Sequence, residues 1–171
     1  MKAKERREKI VGMLETATET ISASQLAKDL GVSRQVIVGD IALLRASQKA
    51  IVSTPKGYLM KDALYKNNYS ARIVCQHRPS DTQEELNIIV SHGGIISTVE
   101  VEHPIYGMIT APLNIKTKDD IEDFMVKVNT YKAELLSSLT EGLHSHLISC
   151  PSLKAFEAIK AELNQAGILY Q

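Results

Sequence analysis

The stretch SASQLAKDLGVSRQVIVGDIALLR, residues 22–45, constrains this chain more than any other. Gly31 stands between two serines, each placed ahead of a run with apolar residues at helical spacing. Ser24 is placed to cap a short helix running to Leu30, Gly31 tolerates the left-handed backbone that ends it, and Ser33 caps a second helix. Two helices joined by a turn of about three or four residues that contains Gly form a helix-turn-helix. In the second helix Ile37, Ile41 and Leu44 fall at i, i+4 and i+7, the stripe that turns toward a core. Ser33 at its start, and Arg34, Gln35, Val38 and Arg45 away from the stripe, are the positions able to face DNA. Upstream, Ile10, Val11 and Leu14 predict a helix over roughly residues 4–15. Downstream, AIVSTPKGYLM holds two β-prone runs around Pro55-Lys56-Gly57, a hairpin in the position of the wing of a winged helix. Lys56 at its tip is placed to meet a phosphate, a contact that supplies affinity and register rather than sequence choice.

Charge separates this module from the rest. The 171 residues carry no formal net charge, yet residues 1–60 hold ten Lys and Arg against six Asp and Glu, and residues 61–171 hold ten against fourteen. A basic N-terminal module joined to an acidic remainder is an asymmetry that the overall pI conceals. The composition changes near Lys61 to Ser70, which sets domains of 1–62 and 69–171. No run approaches the roughly 18 apolar residues of a membrane span, and the start MKAKERREKI has no signal-peptide core. A cytoplasmic protein with no membrane partner is expected. Cys75 and Cys150 form no CxxC and are expected to be buried thiols.

From Tyr69 the periodicity switches. ARIVCQ reads as a strand, and Asp81 with Glu84 as a capping box that opens the helix TQEELNIIVSH, ended by Gly93-Gly94. IISTVEVEH and GMITAPLNI are strands joined by a turn at Pro104 to Gly107. Thr117 with Asp120 opens the helix DDIEDFMVKVNTYKAELL, GLHSHLIS is a strand, and Pro151-Ser152 starts a last helix closed by Gly167. The order β-α-β-β-α-β-α makes an α+β domain with helices on one face of a mostly antiparallel sheet and the other face open to a ligand or partner.

Two of the five histidines sit one residue apart in the last strand. Side chains alternate along a strand, so His144 and His146 share one face, about 7 Å apart, near enough to hold one metal ion. His77 ends the alternating set of Ile73 and Cys75, and Glu85 follows on the next helix. Together they make a plausible His-His-His-carboxylate set, whose donors suit zinc, nickel, iron or manganese. Surface or hydrogen-bonded histidines are the competing reading, since an HxH pair recurs by chance. His92 is placed at a helix C-terminus, where its charge complements the dipole. His103, in EHPIYG, either lines the same face or only fixes the turn before Pro104.

QHRPSDTQEELNIIVSHGG, VEHPIYG and LTEGLHSHL, behind the helix-turn-helix VSRQVIVGDIALLR, resemble the niacin-responsive transcription repressors, a winged helix joined to a three-histidine domain. The resemblance covers essentially the whole chain, and the HPIYG and LTEGLHSH segments carry its specificity. It implies a cytoplasmic homodimeric repressor on palindromic double-stranded operators, with nicotinic acid as co-repressor, controlling niacin uptake or NAD synthesis. It implies a regulatory domain resembling the phosphocarrier protein fold, a divalent transition metal, zinc or nickel above others, on His77, Glu85, His144 and His146, and ligand contacts at His103 and Tyr106. It transfers no role to His92. Many winged-helix repressors carry paired arginines where this chain has Val38-Gly39, so DNA contact is expected to lean on Arg34, Gln35, Arg45 and the wing. Other readings of the same residues are a metal sensor with no organic ligand, a metal-dependent enzyme with a DNA-binding appendage, and a phosphocarrier-like histidine. The enzyme reading lacks a nucleophile motif or phosphate loop, and a non-enzymatic regulator is expected.

Overall fold

Ser22, not Ser24, opens the first helix of the helix-turn-helix: its hydroxyl accepts from the Gln25 amide at 3.1 Å. A helix begun there turns Ala23, Leu26 and Ala27 into the core, and Ser24 falls inside the first turn. The computed structural model describes residues 1–65 and 69–171 of the chain; residues 66–68, within the composition change at Lys61 to Ser70, lie outside the described residues. Contacts divide the chain into two units, Met1–Leu64 and Tyr65–Gln171.

The first unit is three helices and a hairpin: α1 (Ala3–Thr16), α2 (Ala23–Leu30), α3 (Arg34–Ala46), β1 (Ile51–Thr54) and β2 (Gly57–Met60). Gly31 ends α2 at φ 66 and Ser33 caps α3 by accepting from Val36 N at 3.3 Å. Ile10, Leu14, Leu26, Ile37, Ile41 and Leu44 form one core. Asp40 was not singled out in the sequence, yet it is 4% exposed on the core side of α3. Arg6 Nε meets it at 2.5 Å and Arg7 Nη1 at 3.4 Å, which ties α1 to α3 by a charged pair that is only partly open to water. The β1–β2 turn is Pro55-Lys56, with Thr54 opposite Gly57. Tyr58 also exchanges both backbone bonds with Ile21 at 2.9 Å, so the wing is anchored before the helix-turn-helix begins.

The second unit holds β3 (Tyr69–Gln76), α4 (Thr82–Ser91), β4 (Ile95–His103), β5 (Gly107–Ile115), α5 (Lys118–Tyr131), β6 (Leu143–Cys150) and α6 (Leu153–Gln165). Its order is β-α-β-β-α-β-α, and the antiparallel sheet runs β3-β6-β4-β5. Ile73, Cys75, Ile96, Ile115, Ile148 and Cys150 turn one sheet face toward Leu86 and Ile89 of α4, Ile121 of α5, and Phe156, Ile159 and Leu163 of α6. Two helix boundaries differ from the sequence reading. Asp81 makes no cap bond: Pro79–Asp81 already form a one-turn 3-10 helix, and Asp81 at φ −95, ψ −2 lacks the extended backbone a capping side chain needs. Helix α5 opens on the expected Thr117–Asp120 capping box but stops at Tyr131, where Lys132 turns left-handed at φ 47; Leu136–Thr140 form a separate 3-10 turn.

The wing gives a direct check. Gly57 has φ 150, and a Cβ there would lie 2.5 Å from the Ile21 carbonyl oxygen, a backbone atom that cannot swing away. Gly57→Ala is expected to cost more than about 1 kcal/mol in urea unfolding of the first unit, whereas Lys56→Ala at the neighbouring exposed position should leave stability within about 0.5 kcal/mol.

Candidate functional site

Strand alternation puts His144 and His146 on the same face as Ile148 and Cys150, and this is the face the helices cover. The sequence reading had left the uncovered face to a ligand; the two histidines are instead 4% and 3% exposed, beneath α4. The β3–β6 register sets Cys75 opposite His144 and Ile73 opposite His146. His77 follows just past the end of β3, and Glu85, 1% exposed, reaches down from the first turns of α4.

Glu85 is the centre of the cluster. His77 Nε2 lies 2.8 Å from its Oε2, while His144 Nε2 lies 3.1 Å and His146 Nε2 3.3 Å from its Oε1. The rings stand edge to face, with centroids 5.0 Å apart for His77 and His144 and 4.8 Å for His144 and His146. Each imidazole is held from behind. The Nδ1 atoms of His77, His144 and His146 lie 2.8 Å from the carbonyls of Arg78, Gly142 and Thr98, respectively. A carbonyl oxygen only accepts, so each Nδ1 carries a proton and each Nε2 is turned toward Glu85. This is the arrangement in which a backbone carbonyl sets the tautomer of a metal-binding histidine.

Local irregularities in the chain supply those carbonyls. A register shift between Ile96 and Glu100 breaks the β4–β6 ladder. The Leu147 amide is met there by the Thr98 hydroxyl at 3.3 Å, and the Thr98 carbonyl is left for His146. Gly142, at φ 87, packs so closely on His77 that a Cβ would lie 2.2 Å from the His77 carbonyl oxygen.

In their neutral form the three imidazoles, with a carboxylate, would place four acceptors around one point, which only a proton or a cation can reconcile. Burial lowers the pKa of His77 and His146, but the charge and hydrogen bonding of Glu85 outweigh it and raise both. Burial pushes Glu85 up, and the charge of His146 with hydrogen bonds from His144 and His77 overcomes it, holding the carboxyl well below its usual range. Burial, then the charge and hydrogen bonding of Glu85, push the Cys75 thiol far up, so it stays protonated. His146 Nε2 remains buried without a hydrogen bond, because its 3.3 Å approach to Glu85 lacks the necessary geometry. The donor atoms of His77, Glu85 and His144 lie within 4.8 Å of one another, gathered around a single point. The unpaired nitrogen beside them makes the set fit a divalent transition metal.

The other candidates fall elsewhere. His103 fixes its turn: Nδ1 accepts from the amides of Ile105 and Tyr106 at 3.2 and 3.3 Å. Tyr106 is 75% exposed, its ring 5.0 Å from that of His103. His92 caps the end of α4 and pairs with Glu162 of α6 at 2.6 Å. In the first unit Ser33, Arg34, Gln35 and Lys56 are exposed and Val38 is half-buried. Arg45 is committed to the wing: Nε donates to the Ile51 carbonyl at 2.9 Å, Nη2 to Ser53 Oγ at 2.5 Å, and the guanidinium lies 5.9 Å from the Tyr58 ring centre. Asp40 and the anchoring carbonyls had no sequence signal, because their partners are separated in the chain or belong to the backbone.

Comparison with known proteins now decides the family. Residues 6–59 match the HTH domain and residues 70–171 the 3H domain. Transcription repressor NadR of Bacillus subtilis is 37% identical over 166 residues, covering 96% of this chain and 92% of that protein. Probable transcription repressor NiaR of Thermotoga maritima is 39% identical over 167 residues, covering 98% and 94%. The chain belongs to the NadR and NiaR family of transcription repressors. Membership in this family makes it a DNA-binding regulator rather than an enzyme. The cluster of three histidines lies in the part of this family member that matches the 3H domain. No helix among the described residues is long and apolar enough to cross a membrane.

The charge arrangement generates a pH prediction for metal-free protein. Glu85, lowered, stabilises the fold above its ordinary value of 4.5 and loses that contribution as pH falls through its folded value. His77 and His146, raised, stabilise it below 6.5 and lose that contribution as pH rises through their folded values. Chelator-treated protein should therefore melt highest between these limits and progressively lower above them. A bound metal needs unprotonated Nε2 atoms, so zinc-loaded protein should gain Tm relative to the chelated form as pH rises across that range. Calorimetric melting of both forms from pH 4 to pH 9 checks the divergence.

Proposed function

We propose that this repressor uses nicotinic acid as co-repressor at a metal-containing site in its 3H domain, and as a homodimer controls genes of niacin uptake or NAD synthesis. The observation that carries the reading is the triple anchoring of the imidazoles, each with Nδ1 on a backbone carbonyl and Nε2 turned to Glu85. Orienting three buried rings this way costs conformational freedom and turns three ring nitrogens onto one buried carboxylate, which a structural core has no use for. A divalent ion, zinc or nickel by the donor chemistry, would be held by His77, Glu85, His144 and His146. When bound it supplies a Lewis-acid centre for a pyridine nitrogen or a carboxylate.

The chain's own residues do the rest. Glu85 contributes the single negative charge of the donor set, and the carbonyls of Arg78, Gly142 and Thr98 hold the rings in place. Continuing the register of β4 with β6 carries His103 opposite Gly142, the residue that packs against His77. His103 and Tyr106 are therefore assigned to the rim of the effector site, about two strand spacings, or roughly 10 Å, across the sheet from His77. Nicotinamide lacks the carboxylate charge, so a site built around that charge discriminates against it. In the first unit Ser33, Arg34, Gln35 and Val38 are assigned to the major groove and Lys56 to a phosphate. Arg45 acts through the wing it holds rather than by direct contact. Two recognition helices about 34 Å apart meet successive half-sites of a palindrome, and an effector coupling of about 1–3 kcal/mol is sufficient for control. A metal sensor with no organic effector is the second reading, favoured by the four protein donors, which can complete a tetrahedral shell unaided.

Fluorescence anisotropy on the upstream region of a niacin-transport gene, at fixed salt, separates these readings. Nicotinate should tighten DNA binding about 5- to 150-fold, nicotinamide should do little, and chelator should abolish the response. Metal alone giving the full response would select the sensor, and no response to any of the three would sink the regulatory assignment. His144→Ala and His146→Ala should lose both metal and the nicotinate effect while retaining basal DNA affinity. Lys56→Ala should weaken binding evenly across sequences and lower the salt slope by about one, whereas Gln35→Ala should relax the preference at one base position.

A further inference from the structure

Among the described residues the structure identifies two buried side-chain polar atoms without a hydrogen-bond partner, His146 Nε2 and Thr82 Oγ1. The first belongs to the metal set. Thr82, 7% exposed, is the first residue of α4, three positions before Glu85. Residues three apart share a helix face with Cβ atoms about 5–6 Å apart, and helical side chains lean back toward the N-terminus. The Glu85 carboxylate and the Thr82 hydroxyl are thus brought to the same side of α4.

The hydroxyl is unpaired for a local reason. A helical threonine ordinarily gives its proton to the carbonyl four residues back, here that of Arg78. That oxygen already accepts from the Asp81 amide at 3.0 Å and from His77 Nδ1 at 2.8 Å, which occupies both its lone pairs. The bond that orients His77 therefore denies Thr82 its usual acceptor. An unsatisfied buried hydroxyl is costly, and its position one turn before Glu85, on the same side of the helix, points to a guest at the site of Glu85.

We propose that Thr82 is a ligand-positioning residue of the 3H-domain site, its hydroxyl hydrogen-bonding an exogenous oxygen held next to Glu85. The oxygen belongs either to a water or to the carboxylate of the effector. This rests on the metal reading above, and it adds to the site a residue outside the histidine–glutamate set.

The test uses the full-length protein, stripped with chelator and reloaded with Co²⁺, as wild type, Thr82→Val, Thr82→Ala and Thr82→Ser. The readouts are cobalt stoichiometry, the visible spectrum without effector, and calorimetric affinity for nicotinate. Val and Ala are expected to bind cobalt at the wild-type stoichiometry, since neither change touches a proposed donor. If the effector carboxylate is the partner, both should weaken nicotinate about tenfold or more, as expected for a lost bond to a charged acceptor, and Ser should restore it. If water is the partner, the effector-free spectrum should change in both and return in Ser. Unchanged spectrum and unchanged nicotinate affinity in Val and Ala would overturn the assignment of Thr82 while leaving the metal reading intact. Wild-type protein that takes up no cobalt, or loaded protein that does not bind nicotinate, would overturn both.

Discussion

The buried carboxylate of Glu85, facing three imidazole nitrogens, is the interaction on which the rest of the second unit is arranged. It cannot stand alone under α4, because an isolated carboxylate in that setting would be driven to protonate. Nor can neutral imidazoles satisfy it as donors, since the single proton of each is committed to a carbonyl on the far side. The fold therefore holds a site whose charge balance asks for a proton or a cation, and its irregular features follow from that demand. The shift in β4 releases the Thr98 carbonyl, Gly142 removes a side chain where the chain meets His77, and Arg78 lends one oxygen to two donors.

A corresponding economy runs through the first unit. The recognition helix carries few charges of its own, and two of them are used internally: Asp40 receives Arg6 and Arg7, and Arg45 reaches the first strand of the wing. The helix is thereby fixed on one side to α1 and on the other to the hairpin. What it leaves outward is Arg34, Gln35 and a run of small or apolar residues. In the proposed function, such a surface reads bases through an amide and methyl contacts more than through charge. Phosphate attraction then falls to the wing and to the basic balance of the first sixty residues.

Placing the cluster on the covered face also bears on the proposed effector. A ligand that reaches these atoms would have to be small and satisfy buried polar groups, as the proposed planar ring with one carboxylate does. An open sheet face would have favoured a broader partner. The uncovered side carries Arg72 instead, paired through two bonds of 2.9 and 3.2 Å to Glu100.

Much of the architecture was legible because it is written in local periods. The cap–glycine–cap spacing at Gly31 and Ser33, the capping box at Thr117, and the two-residue alternation of His144 and His146 each depend on neighbours a few positions away. Where local signals competed, the reading slipped: Ser24 and Ser22 are both competent caps, and burial of Ala23 and Leu26 chose between them. Asp81 has the right residue type for a cap, but Pro79 had already started a helical turn. By itself, then, the sequence determined the element order, the face shared by the paired histidines and the donor chemistry, all of which follow from spacing and side-chain type. Only the tertiary structure decided that the shared face is the covered one, that Glu85 meets all three rings, that Arg45 serves the wing, and that Thr82 is left without a partner. Those facts depend on strand register and on which backbone carbonyls remain unused, and these are settled only when distant segments pack.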